Sequence, residues 1–70
     1  MSKKEYELRN VSVHEVDTAG GFFLSGQIYG DGVRFADGHF IYTSKVLDTL
    51  EQCDGTRYET MNSYYLVKDL

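Results

Sequence analysis

The chain of 70 residues contains no proline, no tryptophan and a single cysteine, Cys53. A lone cysteine excludes an internal disulfide, and with it the disulfide-rich scaffolds that stabilise many small secreted domains. No apolar run reaches the length of a signal peptide or of a membrane span. These absences predict a cytoplasmic protein that does not interact with a membrane.

Basic residues are few, with 7 Lys and Arg against 11 Asp and Glu, which gives a formal net charge of −4. Nucleic-acid binding usually needs a basic stripe on the protein surface. Lys3 and Lys4 form the single basic pair of the chain. The charge balance therefore argues against a nucleic-acid partner and favours a partner with a basic surface.

Residues for catalysis or metal binding are scarce and scattered. The imidazole and thiol side chains of His14, His39 and Cys53 lack the close spacing of a metal site. Cys53, Ser25 or Ser44 could each pair with a histidine as a nucleophile, but no nucleophile elbow is present. We therefore predict no enzymatic activity, no cofactor, no metal and no small-molecule substrate. Whether the two histidines and Cys53 converge in space stays open.

Four short turn signals divide the chain. They are Gly20-Gly21, Asp31-Gly32, Asp37-Gly38 and Asp54-Gly55. A glycine after Asp readily supplies the positive φ that a tight hairpin needs. Gly30-Asp31-Gly32 begins like a dinucleotide-binding loop, but Phe35 stands where the third glycine would be needed. The glycines therefore predict tight turns rather than a phosphate-binding loop.

Between the turns the chain is rich in Val, Ile, Phe and Tyr, the residue types that favour strands. The predicted strands cover residues 5–16, 22–29, 33–35, 39–46 and 64–67. Within the first, the apolar alternation changes phase near Asn10, which predicts either a β-bulge there or a second short strand from residue 10. Residues 1–4 are expected to form a flexible tail of a single β domain over residues 1–70.

Residues 44–54 fit two structures, a helix or a strand. The spacing of Val46, Leu47, Leu50 and Cys53 favours a short helix near residues 45–53. The alternative continues the strand to Leu47 and forms a hairpin at Asp54-Gly55. The pattern as a whole predicts a mostly-β fold, either a small SH3-like barrel or a strongly twisted antiparallel sheet of five to six short strands. With a helix, the alternative is an α+β fold of one helix on a four-stranded sheet.

The chain is rich in aromatic residues, with six Tyr and four Phe. Part of this set is expected to fill the core: Phe22 or Phe23, Phe35, Phe40, Tyr42 and Tyr64. Tyrosine is enriched at interfaces because it combines a large apolar ring with a polar tip. The remaining tyrosines are therefore candidate partner-binding residues: Tyr6, Tyr29, Tyr58 and Tyr65.

These observations predict a small non-catalytic protein-binding or regulatory module. It would act through a tyrosine-rich acidic surface, on a protein partner or by self-association. One alternative is a single-stranded nucleic-acid-binding barrel that uses Phe22, Phe23, Arg34 and Arg57. A further alternative is a small-ligand or metal-dependent protein that uses His14, His39 or Cys53.

Residues 34–46 and 59–66 carry a resemblance. They read RFADGHFIYTSKV and ETMNSYYL. This sequence resembles a pattern in small uncharacterised proteins of bacterial and phage genomes, in which Asp-Gly precedes an alternating strand that ends in Thr-Ser. In those proteins Thr and Asn-Ser then precede a Tyr-x-Leu ending. The resemblance implies a β fold and a mobile-element origin, and it implies no activity and no site residue.

Overall fold

A computed structural model of the chain describes residues 3–16 and 20–68. Its six strands are β1 (Lys4–Glu15), β2 (Phe22–Tyr29), β3 (His39–Tyr42), β4 (Asp48–Gln52), β5 (Gly55–Glu59) and β6 (Ser63–Lys68). They form one sheet in the order β3-β2-β1-β6-β5-β4. The predicted mostly-β class is confirmed. The sheet is mixed rather than wholly antiparallel, because β6 returns alongside β1 in the parallel direction.

A β-bulge in β1 brings apolar residues that are out of phase in the sequence onto one face of the sheet. The pairing of β1 with β2 shifts register between Arg9 and Ser12, and Asn10 has a φ of 55°. Leu8 therefore lies opposite Ile28, and Val13 lies opposite Leu24, although Leu8 and Val13 are out of phase in the sequence. The predicted bulge near Asn10 is confirmed.

The core lies on the inner face of the curled sheet. Its buried residues are Tyr6, Leu8, Leu24, Ile28, Ile41, Val46 and Tyr65. Phe22 and Phe35 pack against this cluster, as expected. Tyr64 instead lies half-buried on the outer face, with the Arg57 guanidinium 4.5 Å from its ring centroid.

Two pairs of aromatic residues lie elsewhere than their residue types suggest. Tyr6 and Tyr65, which are candidate partner-binding residues, lie opposite each other in β1 and β6 and are 9% and 6% exposed. Phe40 and Tyr42 were expected in the core, but they are 54% and 66% exposed. The reason is that Ile41 faces inwards, which turns its two neighbours to the outer face.

The predicted helix near residues 45–53 is wrong, and so is the α+β alternative. Residues 48–52 are β4, which pairs with β5 from Asp48 opposite Glu59 to Gln52 opposite Gly55. Leu47 and Leu50 are 59% and 51% exposed, so the apolar side chains whose spacing favours a helix are not buried together. A helix this short is marginal without such burial, whereas β5 supplies backbone hydrogen bonds. The alternative hairpin is confirmed, but the strand before it ends at Tyr42 and does not continue to Leu47.

The segment between β2 and β3 is a structured loop, and the strand predicted at residues 33–35 is not formed. The Asp31 carboxylate accepts hydrogen bonds from the backbone N–H groups of Val33 and Arg34, at 3.0 and 2.9 Å. The guanidinium of Arg34 also donates to Asp31. This loop places Phe35 against the core and stacks it on His39, with ring centroids 5.2 Å apart.

Gly55 differs from the other turn glycines. Gly20, Gly32 and Gly38 have φ values of 89°, 69° and 87°, as their turn signals predict. The β4–β5 turn is instead formed by residues 53 and 54, and Gly55 begins β5 without a positive φ. Gly55 is required for another reason, since a Cβ there would overlap the Val67 carbonyl and lie 2.7 Å from Lys68 Cα.

The two edges of the sheet, β3 and β4, are joined by only five residues, 43–47. The sheet is not closed by a ladder between these edges, and an SH3-like barrel is not confirmed.

Of the predicted tail, Met1 and Ser2 lie outside the described residues. Lys4 begins β1, and Lys3 Nζ donates to Glu59 Oε2 and to the Thr60 carbonyl at 2.6 and 2.7 Å. Within residues 3–16 and 20–68, no helix could cross a membrane.

Candidate interaction surface

Four rings gather on the outer face of β1, β2 and β3. His14 lies opposite Phe23 in the β1–β2 ladder, and the β2–β3 ladder places Phe40 and Tyr42 on the same face. Paired residues of an antiparallel ladder project from the same side of the sheet, and alternate residues of one strand do so too. We call His14, Phe23, Phe40 and Tyr42 the aromatic patch.

The rings of the aromatic patch contact one another. The His14 and Phe23 rings are stacked, with centroids 4.9 Å apart and planes inclined by 15°. Tyr42 packs edge-on against Phe40 at 5.4 Å and against Phe23 at 6.2 Å, and it lies 5.9 Å from His14. These are the offset and edge-to-face separations that aromatic quadrupoles favour. The patch is therefore an ordered surface and not a set of independent side chains.

The patch presents its apolar area to solvent. Phe40 and Tyr42 are more than half exposed, whereas His14 and Phe23 are half-buried beside them. Phenylalanine exposed to this extent is unusual because a fully buried aromatic side chain removes about 150–250 Å² from water. The outer rings thus leave uncovered a contiguous apolar surface that the fold itself does not use.

His14 and Ser25 are hydrogen-bonded beneath Tyr42, with 2.7 Å between Nε2 and Oγ. Ser25 lies opposite Tyr42 in the β2–β3 ladder. This separation is that of a nucleophile and its base, but Ser25 is only 2% exposed. The pair offers no accessible nucleophile. Its effect is to hold the imidazole in the orientation that stacks on Phe23.

His14, His39 and Cys53 have different surroundings. His14 belongs to the aromatic patch, His39 stacks on Phe35, and Cys53 is exposed in the β4–β5 turn. Among the described residues, no group of three or more His, Cys, Asp or Glu side chains is placed to hold a metal ion. That the protein needs no metal stays a prediction.

The four tyrosines predicted to bind a partner do not form one surface. Tyr6 and Tyr65 belong to the core, where their rings lie 6.0 Å apart. Tyr58 packs against the core and meets Phe22 edge-on at 6.2 Å. Tyr29 is half-buried on the outer face, beneath the Arg9 guanidinium at 4.1 Å. A partner-binding role stays a prediction for Tyr29 and Tyr58.

The four residues of the nucleic-acid alternative are likewise dispersed. Phe22 packs against the core, whereas Phe23 belongs to the aromatic patch on the opposite face. The Arg34 guanidinium binds Asp31, and that of Arg57 lies over the Tyr64 ring. Of the four, Phe23 alone belongs to the aromatic patch.

A groove of about 570 Å³ runs beside the β1 bulge, and Glu7, Arg9, Asn10, Val11, Val67 and Lys68 line it. The Glu7 carboxylate accepts a hydrogen bond from Arg9 Nε at 2.6 Å and lies 3.8 Å from Lys68 Nζ. The Arg9 hydrogen bond is the main reason that the pKa of Glu7 lies below its ordinary value. Glu7 thus pairs with both cations of the groove, Arg9 and Lys68, and the two cations outnumber the one carboxylate.

The alternation of residues 39–46 does not show which face of β3 carries the patch. In residues 39–46 one set of alternate residues includes Phe40 and Tyr42, and the other includes Ile41 and Thr43. Both sets are apolar enough to be buried, so alternation alone does not identify the inner face. The small residues Gly26 and Ser25 on β2, which lie opposite Ile41 and Tyr42, give no further distinction.

Comparisons with known proteins add no assignment, since no family model, curated protein or solved structure matches this chain. The chemistry of the aromatic patch is therefore the basis for a functional interpretation. A binding role is the one that its exposed rings favour.

Proposed function

We propose that this protein is a small non-catalytic protein-binding module that docks a partner on the aromatic patch. The observation that carries the proposal is the exposure of Phe40 and Tyr42 within an ordered cluster of four rings. Aromatic anchors in the middle of an interface contribute a disproportionate share of binding free energy. The two outer rings are the expected anchors.

The ordering of the patch favours binding. Each ring already contacts a neighbouring ring, so a partner would immobilise few freely rotating side chains. The loss of side-chain entropy on binding is about 0.5–1.5 kcal/mol for each flexible side chain immobilised. The same contacts also stabilise the sheet, since cross-strand aromatic pairs contribute roughly 0.2–1 kcal/mol. That contribution explains why rings pair, but it does not explain why they are left uncovered.

The charge of the chain indicates the kind of partner. With a net charge of −4, the protein would attract a basic surface through long-range electrostatics. We therefore propose a partner whose apolar contact area is rimmed by Lys and Arg. Its association should slow as the salt concentration rises.

The test is a binding comparison between matched variants. The wild-type protein, the double variant Phe40→Ala/Tyr42→Ala and the control double variant Leu50→Ala/Met61→Ala are immobilised and exposed to extract of the native host. Leu50 and Met61 are 51% and 72% exposed and do not belong to the patch. We expect a specific protein to be retained by the wild type and the control and lost by the patch variant. Equal retention by all three would contradict the proposal.

Single-stranded nucleic acid is the main competing partner, because exposed rings on a sheet can stack bases. Fluorescence anisotropy at low salt, with DNA and RNA oligonucleotides, separates the two functions. We expect no binding, since the acidic net charge opposes a polyanion.

The cytoplasm is the compartment that we propose for this function, since Cys53 is an exposed free thiol.

A further inference from the structure

The edge of the sheet beside the aromatic patch specifies how a partner binds. Resting on the proposed function, we infer that the partner adds an extended segment as a new strand to the free edge of β3. The segment would carry apolar or aromatic side chains at alternate positions, and the rest of the partner would cover the patch.

The backbone geometry of β3 leaves alternate groups free for such a strand. The Thr43 N–H donates to the Leu24 carbonyl at 2.8 Å, so Thr43 forms a hydrogen-bonded pair with β2. Hydrogen-bonded and non-hydrogen-bonded pairs alternate in an antiparallel ladder, which makes Ile41 the next bonded residue. The N–H and C=O groups of Phe40 and Tyr42 therefore point away from β2. Among the described residues, the backbone bonds of turns and loops do not involve Phe40 or Tyr42.

The edge formed by β3 is short, at four residues, but its sequence offers no further protection against pairing. Its four residues, His39–Tyr42, include no Lys, Asp, Glu or Pro, the residues that commonly prevent edge pairing. The opposite edge, β4, carries Asp48 and Glu51 and is exposed along its whole length. Of the two edges, β3 is the one that accepts an additional strand.

The free backbone groups identify the occupant as an extended main chain. Phe40 and Tyr42 are two residues apart, and their donors and acceptors repeat at the spacing of a strand. Both rings stand on the outer face beside this edge. Alternate side chains of an added strand would lie next to them, which is why we infer apolar or aromatic residues at those positions.

A second copy of this chain fits the edge less well. Symmetric pairing of β3 with itself would cover mainly Phe40 and Tyr42, which amounts to roughly 500 Å² of ring surface over both copies. Stable interfaces bury about 1,200–2,000 Å² in total. Such pairing would also set the two outer faces side by side and leave His14 and Phe23 uncovered. A different protein can contribute a strand and cover the patch together.

The first test needs no ligand. Amide hydrogen exchange, measured by NMR on the whole protein, should show slow exchange at Ile41 and fast exchange at Phe40 and Tyr42. Protection of Phe40 and Tyr42 that is independent of protein concentration would show that the edge is already paired, and it would overturn the inference. Protection that grows with protein concentration would make a second copy the occupant and would overturn it as well.

The second test uses random twelve-residue peptides displayed on phage, selected on the wild-type protein and then synthesised. We expect selected peptides to alternate apolar and polar residues and to slow exchange at Phe40 and Tyr42 at least tenfold. Tyr42→Pro removes the outward N–H, which proline tolerates at an edge, whereas Tyr42→Val removes the ring but keeps the N–H. The proline variant should bind these peptides about five- to tenfold more weakly than the valine variant, the effect of one hydrogen bond.

The outcomes separate the inference from the proposed function. Peptides that require the Phe40 and Tyr42 rings but leave backbone exchange unchanged would overturn strand addition and leave the patch as a binding surface. A selection that yields no peptide dependent on these rings would overturn both. Slow exchange at Ile41 in the proline and valine variants confirms that each variant has retained β3.

Discussion

Val46 and Leu47 are adjacent in the chain, yet their N–H groups donate to strands in different halves of the sheet. Val46 donates to the Phe22 carbonyl on β2 at 2.8 Å, and Leu47 donates to the Glu59 carbonyl on β5 at 2.7 Å. In the sheet, β1 and β6 separate these two strands. The link between Val46 and Leu47 therefore holds the curled sheet around its core.

The side chains at this link should differ sharply in their effect on stability. Val46 is 8% exposed and Leu47 is 59% exposed. Val46→Ala should lower the free energy of unfolding by about 1.5–2.5 kcal/mol, through lost burial and a small cavity. Leu47→Ala should change it by no more than about 0.5 kcal/mol. Urea denaturation of both variants measures the difference, and equal losses would mean that Val46 does not close the core.

The core and the aromatic patch can be distinguished by the same measurement. Leu24 is completely buried, so Leu24→Ala should cost about 2–5 kcal/mol. Phe40→Ala removes a larger side chain from an exposed position and should cost about 1 kcal/mol or less, the value of its cross-strand contacts. If the loss for Phe40→Ala approached that for Leu24→Ala, the patch would be a structural element and its proposed role in binding would lose its basis.

Gly55 and Gly32 should respond differently to alanine. A Cβ at Gly55 would meet the main chain of Val67 and Lys68, which cannot move without separating β5 from β6. Gly55→Ala should therefore destabilise the protein by about 3 kcal/mol or more. Gly32 has a φ of 69°, and a Cβ added there would have no neighbouring atom within 4 Å, so Gly32→Ala should cost about 1–2 kcal/mol. Thermal unfolding ranks the two, and the reverse order would contradict the close packing of β5 on β6.

Acid should destabilise the protein partly through Asp31. The backbone N–H of Arg34, followed by that of Val33, holds the pKa of Asp31 below its ordinary value. A carboxylate with a lowered pKa in the folded state binds fewer protons there than in the unfolded chain. Its contribution is thus present above the unfolded pKa of about 3.9 and is lost as the pH falls through the folded value.

Asp31→Asn should accordingly reduce the loss of stability between about pH 5 and pH 2.5. Asn retains an oxygen that can accept the loop hydrogen bonds, which keeps the comparison close. Denaturation curves across this range measure the slope, with Asp54→Asn in the exposed β4–β5 turn as the control for a simple change of charge. An unchanged slope in Asp31→Asn would show that this loop carboxylate does not contribute to acid sensitivity. Glu7, whose pKa is also lowered, accounts for part of the remaining slope.

Local signals in the sequence predicted much of the architecture. The strand over residues 22–29, the bulge near Asn10 and three of the turn glycines correspond to β2, the register shift and positive φ values in the structure. These features depend on residues that are close in the chain. The helix near residues 45–53 was wrong because a 3.6-residue spacing occurred in a segment that pairs with β5.

The location of the aromatic patch was beyond local reasoning. Phe40 and Tyr42 resemble core residues by type, and Tyr6 and Tyr65 resemble interface residues, yet the structure reverses both expectations. Which side of a strand is buried depends on where the rest of the sheet curls. For β3 that decision depends on the pairing of Ile41 with Gly26, and for β1 on the parallel pairing of Tyr6 with Tyr65.

Turn chemistry and strand propensity act over a few residues, so the amino-acid sequence was enough to predict a small acidic β domain with tight turns. Which aromatic rings are covered and which edge is left open became evident in the folded chain. Burial and strand pairing join residues far apart in the chain, such as Lys4 with Ser63. A period of two residues specifies two faces of a strand and does not say which one meets the core.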